Sequence, residues 1–147
     1  FNYRLAGKKV PDRAPVLLAR VREVVTTFAG ELGVATSRLV IGGRSMGGRM
    51  CSMAAAGVEG EPLPVAGLVL ISYPLHPPGK PDRLRVEHLP QLTCPSLFIQ
   101  GSRDTFGSPD ELRPWLREHW KELCEQLRAG RRTIEIYEQP STPDAGS

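Results

Sequence analysis

Apolar and polar positions alternate in two different rhythms along this chain. Leu17, Val21, Val24, Phe28 and Leu32 recur at steps of three and four, which predicts one amphipathic helix over residues 12–32. Asp12 reads as its N-cap, Pro15 falls early enough to be tolerated, and Gly33 reads as its stop. Residues 38–42, 65–71 and 96–100 are short apolar runs, consistent with strands buried on both faces of a parallel sheet. Residues 133–137 alternate and read as a fourth strand.

Helices or long crossovers separate these strands. Residues 46–56 are rich in Met and Ala and end at Gly57. A second helix starts at Ser108, with Pro109 at its first position and Glu111 completing a capping box. Leu112, Leu116, Trp120, Leu123 and Leu127 form its stripe, Gly130 ends it, and Pro114 predicts a kink. Residues 74–90 hold Pro74, Pro77, Pro78, Pro81 and Pro90, so no long regular element is expected there. Residues 140–147 are polar and read as a frayed end. Strands alternating with helices define an α/β domain with a mostly parallel sheet. Ligands of such sheets sit at the carboxyl ends of strands, where the loops after Ile41 and Gln100 lie.

Composition narrows the function only a little. The chain has 147 residues, one domain's worth, and a formal charge of +3. Its basic residues are spread out rather than gathered in a stripe with stacking aromatics, which argues against a nucleic-acid partner. No apolar run is long enough to span a membrane, so no membrane partner is expected. Cys51, Cys94 and Cys124 are far apart and make neither a metal nor a disulfide pattern. Free thiols in a reducing compartment are the reading, with no metal and no cofactor.

The chemistry concentrates in Gly43-Arg44-Ser45-Met46-Gly47. A phosphate loop would need Lys where Arg49 stands and Ser or Thr where Met50 stands, and no frame fits a dinucleotide fingerprint. Strand, G-x-S-x-G and helix in that order fit a nucleophile elbow, and about 0.1 chance matches are expected in a chain of this composition. Ser45 then reads as a nucleophile projecting above the sheet, and the Met46 amide as an oxyanion donor. Gly43 and Gly47 are read as removing side chains from a crowded turn. A glycine-rich turn without chemistry is the alternative.

The acid of such a site follows a later strand, where Asp104 stands. The base should follow the fourth strand, but residues 138–147 hold no histidine. His119 lies mid-helix and reads as packed or solvated. His76 follows a strand end, and it is read with Arg44 as lining the pocket.

"GGRSMGGRM", "LVLISYPLHPPGKPDRLRVEHLPQLTCPSLFIQGSRD" and the spacing between them resemble the α/β-hydrolase-like proteins grouped with testis-expressed protein 30. That group is related to the hydrolase-like domain of a subunit of the nuclear NSL histone acetyltransferase complex, and is similar to dienelactone hydrolases. The likeness runs from Phe1 to about Tyr137 and is densest from Leu39 to Asp104. It implies an α/β-hydrolase-like domain over residues 1–138, and the polar composition beyond it leaves 139–147 as a disordered tail. It also implies helices on both faces of the sheet, with Ser45 and Asp104 matching the family's nucleophile and acid. Members carry an N-terminal half-sheet with a "THG"-like loop, which supplies a second oxyanion amide. They also carry an "NHS"- or "DHS"-like segment that supplies the histidine, where "QPSTPDAGS" stands here.

The expectation is therefore a partial, N-terminally truncated hydrolase domain. Its ancestry is a serine hydrolase of small carboxylic esters or thioesters. The chain as it stands is expected to be inactive. The rival is a non-catalytic binding or scaffolding module, with protein partners in place of a small acyl substrate. An intracellular setting, cytoplasmic or nuclear, goes with either.

Overall fold

The computed structural model describes Gly7, residues 12–117 and the backbone of residues 134–139. Helix α1 (Ala14–Leu32) leads through a 3-10 turn at Thr36–Arg38 into β1 (Val40–Arg44). Helix α2 (Met46–Ala55) follows, then β2 (Gly67–Ile71), a 3-10 turn at Leu89–Gln91, β3 (Ser96–Gly101), helix α3 (109–117 within the described residues) and β4 (Ile134–Gln139). The strands form one sheet in the order β1-β2-β3-β4, every pair parallel, as the α/β pattern requires.

Helix α2 packs on β1 and β2, and α1 packs on α2. Leu17, Leu18 and Val21 of α1 meet Met50, Met53 and Ala54 of α2 in a core continued by Leu68, Leu70 and Phe98 of the sheet. The Arg22 guanidinium ties the two helices at one end, donating to the carbonyls of Ala54, Val58 and Glu61.

Several expectations change in detail. The N-cap of α1 is Arg13, not Asp12, and no side chain caps it. Pro15 in the first turn sets that entry instead, since its missing N–H needs no partner there. Gly33 does end α1, in the left-handed conformation (φ 65°), with the Val34 N–H reaching Ala29 O at 3.0 Å. The stripe of α1 divides. Leu17 and Val21 are buried beside Leu18, Val25 and Ala29, whereas Val24, Phe28 and Leu32 are 47%, 51% and 54% exposed. Val24 and Phe28 lie on the same helical face as Leu17 and Val21, so the five-position apolar stripe runs on past the part that the described residues cover.

Strand β1 begins at Val40 rather than Arg38, and β2 at Gly67 rather than Val65. Among the described residues β1 has a neighbour on one side only, and Val40 is 62% exposed. Strand β4 runs to Gln139, one residue into the stretch read as a tail. The expected positions of His119, Trp120, Leu123, Cys124, Leu127 and Gly130, and residues 140–147, lie outside the described residues.

Candidate active site

Ser45 joins β1 to α2 and is the N-cap residue of that helix. Its backbone has φ 52° and ψ −124°, a conformation that side chains other than glycine's rarely adopt. Three contacts hold it there. The Ser45 N–H donates to Ile71 O at 2.8 Å, and its carbonyl accepts from the Arg49 N–H at 3.1 Å. The end of β1 also lies almost on the first turn of α2. A Cβ on Gly48 would sit 2.5 Å from Gly43 O, and one on Gly43 would sit 2.8 Å from the Gly48 nitrogen. The steric need therefore falls on Gly43 and Gly48. A side chain on Gly47 would meet nothing within 4 Å, which corrects the reason given for that glycine.

Met46 is the first residue of α2, so its N–H has no acceptor within the helix. Ser45 and Met46 open onto a cavity of about 250 Å³ bounded by Arg49, Arg85, Phe106 and Asp12. Arg49 stands four residues after Ser45, one helical turn on, and so shares its face. Arg85 comes from the proline-rich loop, and its backbone is pinned on both sides. Its N–H donates to Leu75 O at 2.7 Å, and its carbonyl accepts from the Tyr73 hydroxyl at 2.7 Å.

A buried glutamine holds the cavity's far wall. The Gln100 carboxamide accepts from the Tyr73 N–H and donates to Tyr73 O at 3.1 Å and Gly107 O at 2.8 Å. It thereby staples the loop after β2 to the loop after β3, and with them Pro74 and Phe106 of the lining. Tyr73 itself packs edge-on against Phe98, with ring centroids 5.7 Å apart.

Asp104 lies after β3, at the same end of the parallel sheet as Ser45 and two strands away, about 10 Å by strand spacing. Its Oδ1 accepts from the Phe106 N–H at 2.9 Å, and its own N–H donates to Gly101 O at 3.1 Å. Asp104 does not line the Ser45 cavity; its neighbour Phe106 does.

Arg44 and His76, read as lining the pocket, do not line this cavity. Arg44 is exposed at the end of the edge strand. His76 is buried, with Nδ1 2.8 Å from Pro77 O and Nε2 3.1 Å from Glu111 Oε1. Both ring nitrogens are engaged away from Ser45. Glu111 is itself fixed by the Ser108 N–H and hydroxyl, which pull its carboxyl below the usual range.

The sequence reading missed Arg49, Arg85 and a second serine–histidine pair, Ser52 with His88. Arg49 carried a signal, the four-residue step from Ser45; Arg85 and His88 carried none. It also missed Ser72, which directly follows β2 with φ 49° and donates its N–H to Ile99 O at 2.8 Å, repeating the backbone device of Ser45 one strand over. Cys51 is buried, which raises its thiol to about 11 and leaves it unreactive at neutral pH. Among the described residues no group of three His, Cys, Asp or Glu side chains could hold a metal ion. No described helix is long and apolar enough to cross a membrane.

A parallel sheet, a strained serine at a strand-to-helix junction and an acid after a later strand are the parts of a hydrolase of the α/β class. Residues 1–130 match the family model of an alpha/beta hydrolase domain, and the chain belongs to that family. No solved structure matches it.

Proposed function

We propose that this chain carries the acyl-binding half of a serine-hydrolase site, with Ser45 as the nucleophile position. The carrying observation is the Ser45 backbone, held at positive φ between β1 and α2 and opening onto a cavity. In the reaction, Ser45 Oγ bonds to the acyl carbon of a small ester or thioester, and the C–O or C–S bond breaks. The serine proton goes to the leaving oxygen or sulfur, and water then releases the acyl group as an acid. The Met46 N–H faces the developing oxyanion, and Asp104 stands where a base would be oriented. The finer kinship, with the proteins grouped with testis-expressed protein 30, rests on the residues around Ser45 and Asp104.

Among the described residues no histidine serves the proton step. Of the three in the sequence, His76 is turned to Glu111, His88 is buried against Ser52, and His119 lies outside the described residues. Turnover by this chain is therefore expected to be low, since losing one triad member costs about 10⁴-fold or more. The same observation favours a second reading, in which the cavity binds an acyl compound or a protein segment without turnover. Hydrolysis of a p-nitrophenyl ester separates the two: the first reading expects a slow rate that Ser45→Ala removes, and the second a rate that Ser45→Ala leaves unchanged. Rapid turnover abolished by Ser45→Ala would overturn the inactivity of the chain and show that another group acts as base. An intracellular site, cytoplasmic or nuclear, is part of the proposal through the chromatin-complex resemblance.

A further inference from the structure

The geometry points to Arg49 and Arg85 as a recognition pair for an anionic group, a carboxylate or a phosphate, carried by the molecule that reaches Ser45. Both guanidinium-bearing residues border the Ser45 cavity, and both are only partly exposed. Among the described residues neither has a carboxylate within ion-pair distance, although Arg20 and Glu23 show that arginine–carboxylate pairs do form on this surface. The Arg49 Nε is buried and makes no hydrogen bond among the described residues. Burial first and the neighbouring Arg49 charge second weigh against the Arg85 cation, while Tyr73 and Glu87 favour it, so the two arginines lie close enough to repel. Leaving two cations side by side is costly unless an anion joins them, and guanidinium groups suit carboxylate and phosphate oxygens in a fork geometry.

Position supports the same reading. Arg49 is fixed one helical turn from Ser45, and Arg85 is fixed by backbone bonds to Leu75 and Tyr73. Preorganised groups lose little freedom on binding. Asp12 borders the cavity too, and its negative charge places the anion on the arginine side. Leu17, Met50 and Pro74 supply apolar surface. A cavity of about 250 Å³ fits a short chain with one charged end. The inference rests on Ser45 as the reacting end, but binding of the anion does not require that Ser45 react.

Isothermal titration of the chain with glutarate, inorganic phosphate and neutral glutaramide tests it. At least one anion should bind ten times or more tightly than glutaramide, and added salt should weaken it. Glutarate ahead of phosphate assigns a carboxylate-bearing acyl group; the reverse assigns a phosphorylated one. Arg85→Gln should weaken the preferred anion at least tenfold and Arg85→Lys less, with melting curves checking that both fold. The readout is anion binding and needs no reaction at Ser45, which separates this proposal from the role of Ser45. Equal binding of all three probes, no anion binding at millimolar concentration, or an unchanged affinity in folded Arg85→Gln would overturn it. The probe comparison on the unsubstituted chain decides even where a variant does not fold.

Discussion

Ser52 Oγ and His88 Nε2 lie 2.8 Å apart, sealed in the core behind the cavity. The distance is that of a nucleophile and its base, yet the hydrogen bonds run the wrong way. The Ser52 hydroxyl donates to Arg49 O at 2.8 Å, so its hydrogen is already committed. His88 must then be the donor to Ser52 Oγ, and a ring nitrogen that donates cannot take the serine proton. Burial, with the Arg49 charge beside it, pushes His88 down to about 4. The pair locks α2 to the proline-rich loop.

That lock makes stability depend on acid. Folded His88 stays neutral down to about pH 4, whereas the unfolded chain protonates it near 6.5. Between these values the unfolded state binds more protons, so stability falls as pH drops through that window and is unaffected above it. The full loss is up to about 3 kcal/mol. Urea unfolding at pH 7.5 and 4.5 should show a larger acid loss for the native chain than for His88→Gln. Equal losses would contradict the assignment.

Gly47 and Gly48 should respond oppositely to alanine. Gly48→Ala forces a methyl to within 2.5 Å of Gly43 O, and a shift of backbone is needed to relieve it. A loss of about 1–3 kcal/mol is expected, together with displacement of Ser45. Gly47→Ala meets nothing and replaces glycine inside a helix, so it should be neutral or stabilising by up to about 1 kcal/mol. Thermal melts of the two variants give the comparison, and a greater loss for Gly47→Ala would contradict it.

Ser108 and Glu111 form a reciprocal cap on α3. Glu111 Oε2 accepts from the Ser108 N–H at 2.7 Å and hydroxyl at 2.9 Å, and the Glu111 N–H reaches Ser108 Oγ at 3.4 Å. Ser108→Ala should cost about 1 kcal/mol near neutral pH. Because these bonds lower the Glu111 carboxyl, their stabilisation is present above the ordinary glutamate range. It is lost as pH falls through the lowered value. The cost of Ser108→Ala should therefore shrink in acid, as urea unfolding at successive pH values would show.

The capping box, the Gly33 stop and the strand-to-helix placement of Ser45 were legible because each depends on neighbours a few residues apart. The parallel sheet followed from the alternation of strands and helices, and its strand order did not. What was hidden depends on long-range meetings. Arg85 reaches the cavity only because Tyr73 and Leu75 pin its loop, and His88 finds Ser52 across 36 residues. His76 looked available because nothing in the sequence shows that Glu111 faces it. The exposed half of α1 was hidden for another reason: periodicity marks an apolar face but not what covers it.

Covalent mapping of Ser45 tests the central claim most directly. The chain would be incubated with a fluorophosphonate, with and without added imidazole as a substitute base, and the adduct located by peptide mass spectrometry. The account predicts a single adduct on Ser45, slow alone and faster as imidazole is raised, and absent from Ser45→Ala. An adduct on Ser52, Ser72 or any other residue, or an unmodified Ser45 at high imidazole, would contradict it.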